Sequence, residues 1–222
     1  MRLHRRHGWD LTPAEAIALQ KELRREVVSD RPIELASVRL VAGVDVSVKG
    51  EESQAAVVVV TFPDFRPVET ALARQPTRFP YIPGLLGFRE GPVLEEAFET
   101  LETEPDVFLF DGMGIAHPRR MGIASHLGLW LEKPTIGCGK TRLVGRHPPL
   151  PEEKGAHAPL VDLGEVIGTA VRTRRGTNPI FISPGHLADI PTAVELVLCC
   201  APQYRLPEPI RLAHKAAGAF TP

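Results

Sequence analysis

Paired cysteines, membrane-length apolar runs and a large net charge are all missing from this sequence. Three cysteines occur in 222 residues, Cys138 and the adjacent Cys199 and Cys200, with no CxxC pair among them. They supply no disulfide framework and predict a reduced, cytoplasmic setting. No apolar run approaches the roughly 20 residues that span a bilayer. The basic start MRLHRRHGWDL also lacks the apolar stretch of a secretory signal. A formal net charge of −1 speaks against binding nucleic acid through bulk charge alone. Internal repeats and low-complexity linkers are absent too.

What is present is an ordinary globular composition, 43% hydrophobic and 24% charged, over a length that fits a single domain spanning residues 1–222. The 22 prolines and 19 glycines predict short elements and many turns. Charge is segregated along the chain. Ile115 to Arg146 holds one acid, Glu132, against Arg119, Arg120, Lys133, Lys140, Arg142 and Arg146. Glu90 to Asp106 has no base at all. Such a chain can turn a phosphate-binding face outward while staying neutral overall, although a chance run on a solvated surface has the same composition.

Thr12-Pro13-Ala14-Glu15 reads as a capping box that opens a helix to about Val28. Strand-like runs follow at 39–48, 54–62 and 67–75, the first two joined by the turn Lys49-Gly50-Glu51-Glu52 as an antiparallel hairpin. Val57 to Val60 is continuously β-branched, as expected of a strand buried on both faces. A helix is expected from near Pro92, a strand at 106–110, a helix at 123–131 and a strand at 134–138. Two strands (166–173 and 179–182) and two helices (191–199 and 209–217) complete the expectation. Three meandering strands feeding an alternating section predict an α/β fold, a mixed sheet flanked by helices, in the order found in ribonuclease H-like folds. The catalytic core is expected over about 39–220, with the N-terminal helix as packing or DNA-approach decoration.

Three carboxylates stand out. Asp45 interrupts the apolar strand LVAGVDV, and alternation places it on the face of Val41 and Gly43, where an unpaired carboxylate is costly. Asp111 follows the strand VFLF at its exit, where ligands gather in open α/β sheets. Glu90 precedes Gly91-Pro92 at the mouth of the acidic helix. Each alone has an ordinary reading: a satisfied buried polar, a turn acid, a helix-start acid. Together, with the first and fourth strands side by side, they predict a carboxylate cluster that needs a cation between its members. Oxygen-only ligands point to Mg²⁺, with Mn²⁺ as a substitute. Lys140, after Gly139, is expected at the same sheet edge, suited to neutralising charge on phosphate. GCGKT lacks the GxxxxGK[ST] spacing, which excludes a phosphate-loop triphosphatase. His214 and His117 carry little weight from spacing alone.

Several segments, taken together, resemble endonuclease V: GVDVS at 43–47, PYIPGLLGFREGP at 80–92, DGMGIAHPRRMGIASHLG at 111–128, TIGCGKTRLVG at 135–145, ISPGH at 182–186 and RLPEPIRLAH at 205–214. They fall in order from about residue 40 onward, while the first forty residues carry little of the match. The resemblance implies a ribonuclease H-like fold and a Mg²⁺-dependent cut at the second phosphodiester 3′ to deoxyinosine. It assigns Asp45, Glu90 and Asp111 as metal-binding and catalytic acids, with Lys140 and His214 as accessory catalytic groups. It makes Tyr81 an aromatic wedge for the gap left by a flipped base. Gly84, Gly112, Gly114 and Gly122 are expected to allow close backbone approach to the flipped base, Ile82, Pro83 and Leu85 to contact nucleic acid beside Tyr81, and His117 to be a phosphate contact or a loop residue. Arg119, Arg120 and Arg205 are the expected phosphate contacts. One departure is Cys138-Gly139, where the family more often has a small aliphatic pair, so Lys140 is expected to sit more loosely.

The implied partner is deoxyinosine-containing DNA, or inosine-containing RNA, bound by a monomer. Two alternatives stay open: another ribonuclease H-like nuclease acting on junctions or hybrids, and an inosine binder that does not cut.

Overall fold

The structure, a computed structural model, describes residues 1–220. The first helix, α1 (Pro13–Leu23), opens on the expected capping box: Thr12 N–H donates to Glu15 Oε2 at 2.7 Å, and Glu15 N–H to Thr12 Oγ1 at 3.3 Å. Such a cap contributes about 1 kcal/mol. The helix ends at Leu23, five residues short of the expected Val28, and residues 24–26 form turns instead.

Strands β1 (Leu40–Lys49), β2 (Glu52–Thr61) and β3 (Pro67–Pro76) form an antiparallel meander. Val57 and Val59 of β2 point into one core cluster while Val58 and Val60 point into another. The β-branched run is therefore buried on both faces, as its composition predicts.

The chain continues through α2 (Leu86–Thr100), β4 (Val107–Phe110), α3 (Ile123–Leu131), β5 (Thr135–Gly139), β6 (His157–Asp162), β7 (Glu165–Val171), β8 (Ile180–Pro184), α4 (Ile190–Cys200) and α5 (Glu208–Gly218). The strands form one eight-stranded mixed sheet in the order β3-β2-β1-β4-β5-β8-β7-β6. The pairs β1–β4 and β4–β5 are parallel and the other neighbours antiparallel. One core cluster packs α4 and α5 on one sheet face, and a second packs α2 and α3 on the other. This is the ribonuclease H-like arrangement that the element order predicts. No helix among the described residues is long and apolar enough to cross a membrane.

Two departures from the sequence reading have clear causes. Helix α2 begins at Leu86, six residues before Pro92, which lies inside it. Proline is usually found in the first turn, but here Phe88 is fully buried against α1, and its burial draws the chain into the helix early. Glu90 is therefore held by a helical turn rather than lying ahead of one. Strand β6 is absent from the sequence expectation, and it contains Pro159. As the outermost strand it has β7 on one side and a single bridge, Val161 to Arg146, on the other, so the N–H that Pro159 lacks leaves no strand pairing unmade.

Candidate active site

Parallel pairing of β1 and β4 places Val44 opposite Phe110, and Asp111 N–H donates to the Val44 carbonyl at 3.1 Å. Asp111 thereby leaves β4 beside Asp45, as the topology anticipates. Alternation sends Asp45 to the α5 side of the sheet. There His214, near the end of α5, hydrogen-bonds through Nδ1 to Asp45 Oδ2 at 2.8 Å. Helix α5 reaches β1 because residue 43 is glycine: a Cβ there would lie 2.0 Å from the Pro209 carbonyl oxygen.

Lys140 follows the last residue of β5, the parallel neighbour of β4, and its Nζ pairs with Asp111 Oδ2. The loop that carries it is pinned. Arg205 Nη2 donates to the carbonyls of Lys140 at 2.7 Å and Pro179 at 3.0 Å, and Arg205 Nε donates to that of Asn178 at 2.8 Å. Gly139 does not leave Lys140 loose, because Arg205 holds its backbone.

One ligand atom each from Asp45, Asp111 and His214 lies within 4.8 Å of the others. Glu90 comes from α2 and is not one of that trio, yet its carboxyl is near enough to feel both aspartates. Burial, reinforced by the charges of Asp45 and Asp111, pushes Glu90 up to about 8. Burial, reinforced by Asp111, pushes Asp45 up to about 6 against the hydrogen bond from His214 and the charge of Lys140. Three carboxylates thus converge where one ammonium and one imidazole do not balance them. Carboxyls such as Glu90 and Asp45, raised by burial and then by neighbouring negative charge, belong to a donor set that suits a hard divalent cation.

Beside this cluster lies a cavity of about 270 Å³ that includes Asp111 and Lys140 in its wall. Ile82, Pro83, Gly84, Gly112, His117 and Gly122, all named from the sequence as candidate nucleic-acid contacts, line it. Tyr81 stands at its edge, 70% exposed.

The surroundings differ from expectation at four residues. Leu85 is buried among Ala16, Phe79 and Phe88, and Leu86, one residue on, takes its place on the cavity wall. The three arginines expected to meet phosphate already have partners inside the protein. Arg120 is buried and pairs with Asp162 at 3.0 Å and Glu165 at 2.8 Å. Arg119 donates to Gly84 O and to Gln20 Oε1, and Arg205 serves the Lys140 loop.

His117 is buried too. It accepts at Nδ1 from the backbone N–H groups of Arg119 (3.1 Å) and Met121 (3.3 Å) and donates from Nε2 to Gly84 O (2.9 Å). Burial holds it neutral, at about 4. Its role here is to tie the 117–121 turn to the loop ending at Gly84.

Sequence reasoning missed Gln20, whose side chain lines the cavity and is 1% exposed. A signal existed. Ala16, Gln20 and Leu23 are the buried residues of α1, at i, i+4 and i+7, so a polar residue sits on the apolar stripe. The hydrophobic wall residues Met113, Met121, Ile123 and Leu143 were also missed, being indistinguishable from core in the sequence.

Comparison with known proteins agrees with this architecture. The family model described as Endonuclease V matches residues 21–215. Endonuclease V of Trichormus variabilis is 51% identical over 98% of this chain and 99% of that protein. The protein of the same name from Methanothrix thermoacetophila is 50% identical over 96% of this chain and 94% of its own length. Among solved structures, Bacillus subtilis endonuclease V superposes with a TM-score of 0.93 at 33% identity, covering 98% of this chain and 96% of that one. Ciona intestinalis endonuclease V, in complex with a 23-mer DNA containing an inosine followed by a ribo-adenosine, gives 0.81 at 30% identity, covering 94% and 97%. With the family model spanning nearly the whole chain and relatives of half-identical sequence matching end to end, this protein belongs to the endonuclease V family.

Proposed function

We propose that this chain is a DNA repair endonuclease that recognises deoxyinosine by drawing the base out of the duplex and hydrolyses the second phosphodiester 3′ to it. The observation that carries the proposal is the juxtaposition of the Asp45–Asp111–Lys140–His214 cluster with a cavity edged by the exposed Tyr81. Chemistry on phosphate and recognition of a displaced base need adjoining sites, and here Asp111 and Lys140 belong to both.

Asp45, Asp111 and Glu90 would hold a divalent metal, with Mg²⁺ the proposed ion and Mn²⁺ its substitute. Bound there, it supplies Lewis acidity toward a phosphoryl oxygen and lowers the pKa of an attacking water. Lys140, oriented by Asp111 and by Arg205, places a positive charge where negative charge grows on the phosphate. His214 donates Nδ1–H to Asp45, which leaves Nε2 free to carry a proton to or from the reacting oxygens. As the phosphorus–oxygen bond to the leaving sugar breaks, that oxygen takes up a proton.

The pocket wall presents backbone groups of Gly84, Gly112 and Gly122, and hypoxanthine differs from adenine in a carbonyl and an N1–H that such groups distinguish. All of these residues come from one chain, which supports action as a monomer. The three free cysteines support a reducing, cytoplasmic setting. The chain is proposed to act as one domain over residues 1–222, with the catalytic core at about 39–220.

A strand with RNA character is the second substrate to test, because the Ciona complexes carry an inosine followed by a ribo-adenosine. The decisive experiment is a nicking assay on end-labelled duplex with a single deoxyinosine, with Mg²⁺ or with EDTA, beside an unmodified duplex and a ribo-inosine strand. A metal-dependent nick 3′ to the lesion, absent from the unmodified duplex, is expected. Equal cutting of the unmodified duplex would assign a general nuclease, and no cutting by folded protein an inosine binder.

A further inference from the structure

The Gly84 carbonyl oxygen receives three hydrogen bonds, each from a different side chain. Gln20 Nε2 donates at 3.0 Å, His117 Nε2 at 2.9 Å and Arg119 Nη2 at 2.8 Å. A carbonyl has two lone pairs, so this acceptor is more than filled. Gly84 itself has φ +83°, and a Cβ there would meet Arg119 Nη2 at 2.9 Å. The peptide is turned into the protein, and only glycine leaves room for its donors.

Gln20 joins these donors into one network. Its amide nitrogen also donates to the Met121 carbonyl at 3.0 Å, and its Oε1 accepts from Arg119 Nε at 2.5 Å. A single buried amide from α1 thus fixes the loop ahead of α2, the turn after β4 and the guanidinium between them. All its hydrogen-bonding partners belong to or adjoin the segments that shape the cavity, and the side chain itself forms part of the wall.

We propose that Gln20 is a positioning residue for substrate discrimination. It holds Gly84 and Arg119 so that the Tyr81–Pro83 rim and the cavity behind it are formed before nucleic acid arrives. The inference rests on the base-recognition reading above. A rim ordered in advance loses little freedom on binding, whereas a loosened one must be ordered by the substrate, at a cost in affinity. A role limited to packing α1 predicts something else: fewer active molecules, hence a lower kcat with an unaltered KM.

The test is steady-state nicking of deoxyinosine and unmodified duplexes by wild type, Gln20→Met and Gln20→Glu, with amide exchange followed across residues 81–85. Gln20→Met keeps the volume and removes every hydrogen bond, while Gln20→Glu keeps an acceptor for Arg119 and removes both donations. For either variant, KM for the deoxyinosine duplex should rise about tenfold while kcat falls less than threefold. Exchange at Leu85, whose N–H donates to Ile82 O at 2.9 Å, should quicken about tenfold with β4 and β5 unchanged. A fall in kcat alone, with unaltered KM and exchange, would overturn the positioning role. Should Gln20→Met fail to fold, Gln20→Glu gives the same split. If wild type cuts both duplexes equally, the base-recognition reading fails. If wild type discriminates and the variants discriminate as well, only the role of Gln20 does.

Discussion

His214 and Asp45 lie 169 residues apart in the chain, yet the imidazole Nδ1 of one is 2.8 Å from the carboxylate of the other. The contact exists because α5 packs directly on β1, and that packing depends on Gly43. Gly43→Ala should therefore damage stability and activity together. A Cβ that must displace the Pro209 backbone should cost roughly 2–3 kcal/mol, a Tm loss on the order of 5–10 °C. Thermal unfolding and nicking rate measured on one preparation would show it. An unchanged Tm would mean that α5 is not seated as described.

Asp45→Asn and Asp111→Asn should each lower the cleavage rate on the order of 10³-fold, since each removes a carboxylate that would hold the metal responsible for charge stabilisation at the phosphate. Binding to a deoxyinosine duplex should persist. Wild-type protein should gain thermal stability on addition of Mg²⁺, and both variants should lose most of that gain. Differential scanning fluorimetry with and without Mg²⁺ separates this from unfolding. A full Mg²⁺ response in Asp111→Asn would remove that residue from the metal site.

The raised carboxyls contribute to the pH dependence of the metal-free protein. Glu90 titrates near 8 and Asp45 near 6 when folded, both above their unfolded values. Below about pH 6.5 the buried histidines, with His117 held at about 4 and His126 at about 3, oppose their effect, because the unfolded chain binds the protons they refuse. Between about pH 7 and 8 Glu90 leaves the native state binding more protons than the unfolded one, so its contribution to stability falls as pH rises. The slope is up to about 1.4 kcal/mol per pH unit for each proton involved. Glu90→Gln should flatten this decline and raise the metal-free Tm at pH 7.5 while impairing cleavage. Urea titrations of wild type and Glu90→Gln at pH 7 and 8 in EDTA measure the share of the slope that belongs to Glu90, and an identical slope in the two proteins would contradict the raised carboxyl.

Lys140→Met should slow cleavage by roughly 10²-fold while leaving the Mg²⁺-induced rise in Tm in place. Arg205→Met should reproduce part of that loss, because the Lys140 carbonyl and the 178–179 loop lose their common donor. Single-turnover rates at saturating protein are the measurement. Wild-type rates in Arg205→Met would show that the loop holds Lys140 unaided.

Tyr81→Ala should erode the preference for deoxyinosine over unmodified duplex by tenfold or more, since stacking on an aromatic is worth about 1–3 kcal/mol per base. The metal response should be untouched, as Tyr81 is exposed and lies outside the acidic cluster. A competition assay between the two duplexes reads the ratio directly, and an unaltered ratio would remove the wedge from the proposal.

Much of the fold was legible because local physics and tertiary context agree. The β-branched run of β2, the capping box of α1 and the periodic apolar residues of α3 all keep in the structure the form their chemistry prefers. Where they disagree, burial decides. Phe88 draws the start of α2 six residues ahead of a proline that would ordinarily open it, and Pro159 is tolerated in β6 because β6 is the outermost strand of the sheet.

The candidate acids were legible for a related reason. A carboxylate in an apolar strand and another at a strand exit conflict with their local surroundings, and such conflicts are written in the sequence itself. The sequence alone therefore determined the layered α/β design, the family and the acidic constellation. Which partners the charged groups take was decided only by the tertiary structure, because hydrogen bonding depends on distances across elements far apart in the chain. Arg119, Arg120 and Arg205 read as phosphate contacts in one dimension, and in three each is engaged by partners within the protein. Gln20 looks like one more polar residue of a surface helix. Folding buries it against Gly84, Met121 and Arg119, and the cost of leaving a buried amide unpaired makes those contacts obligatory.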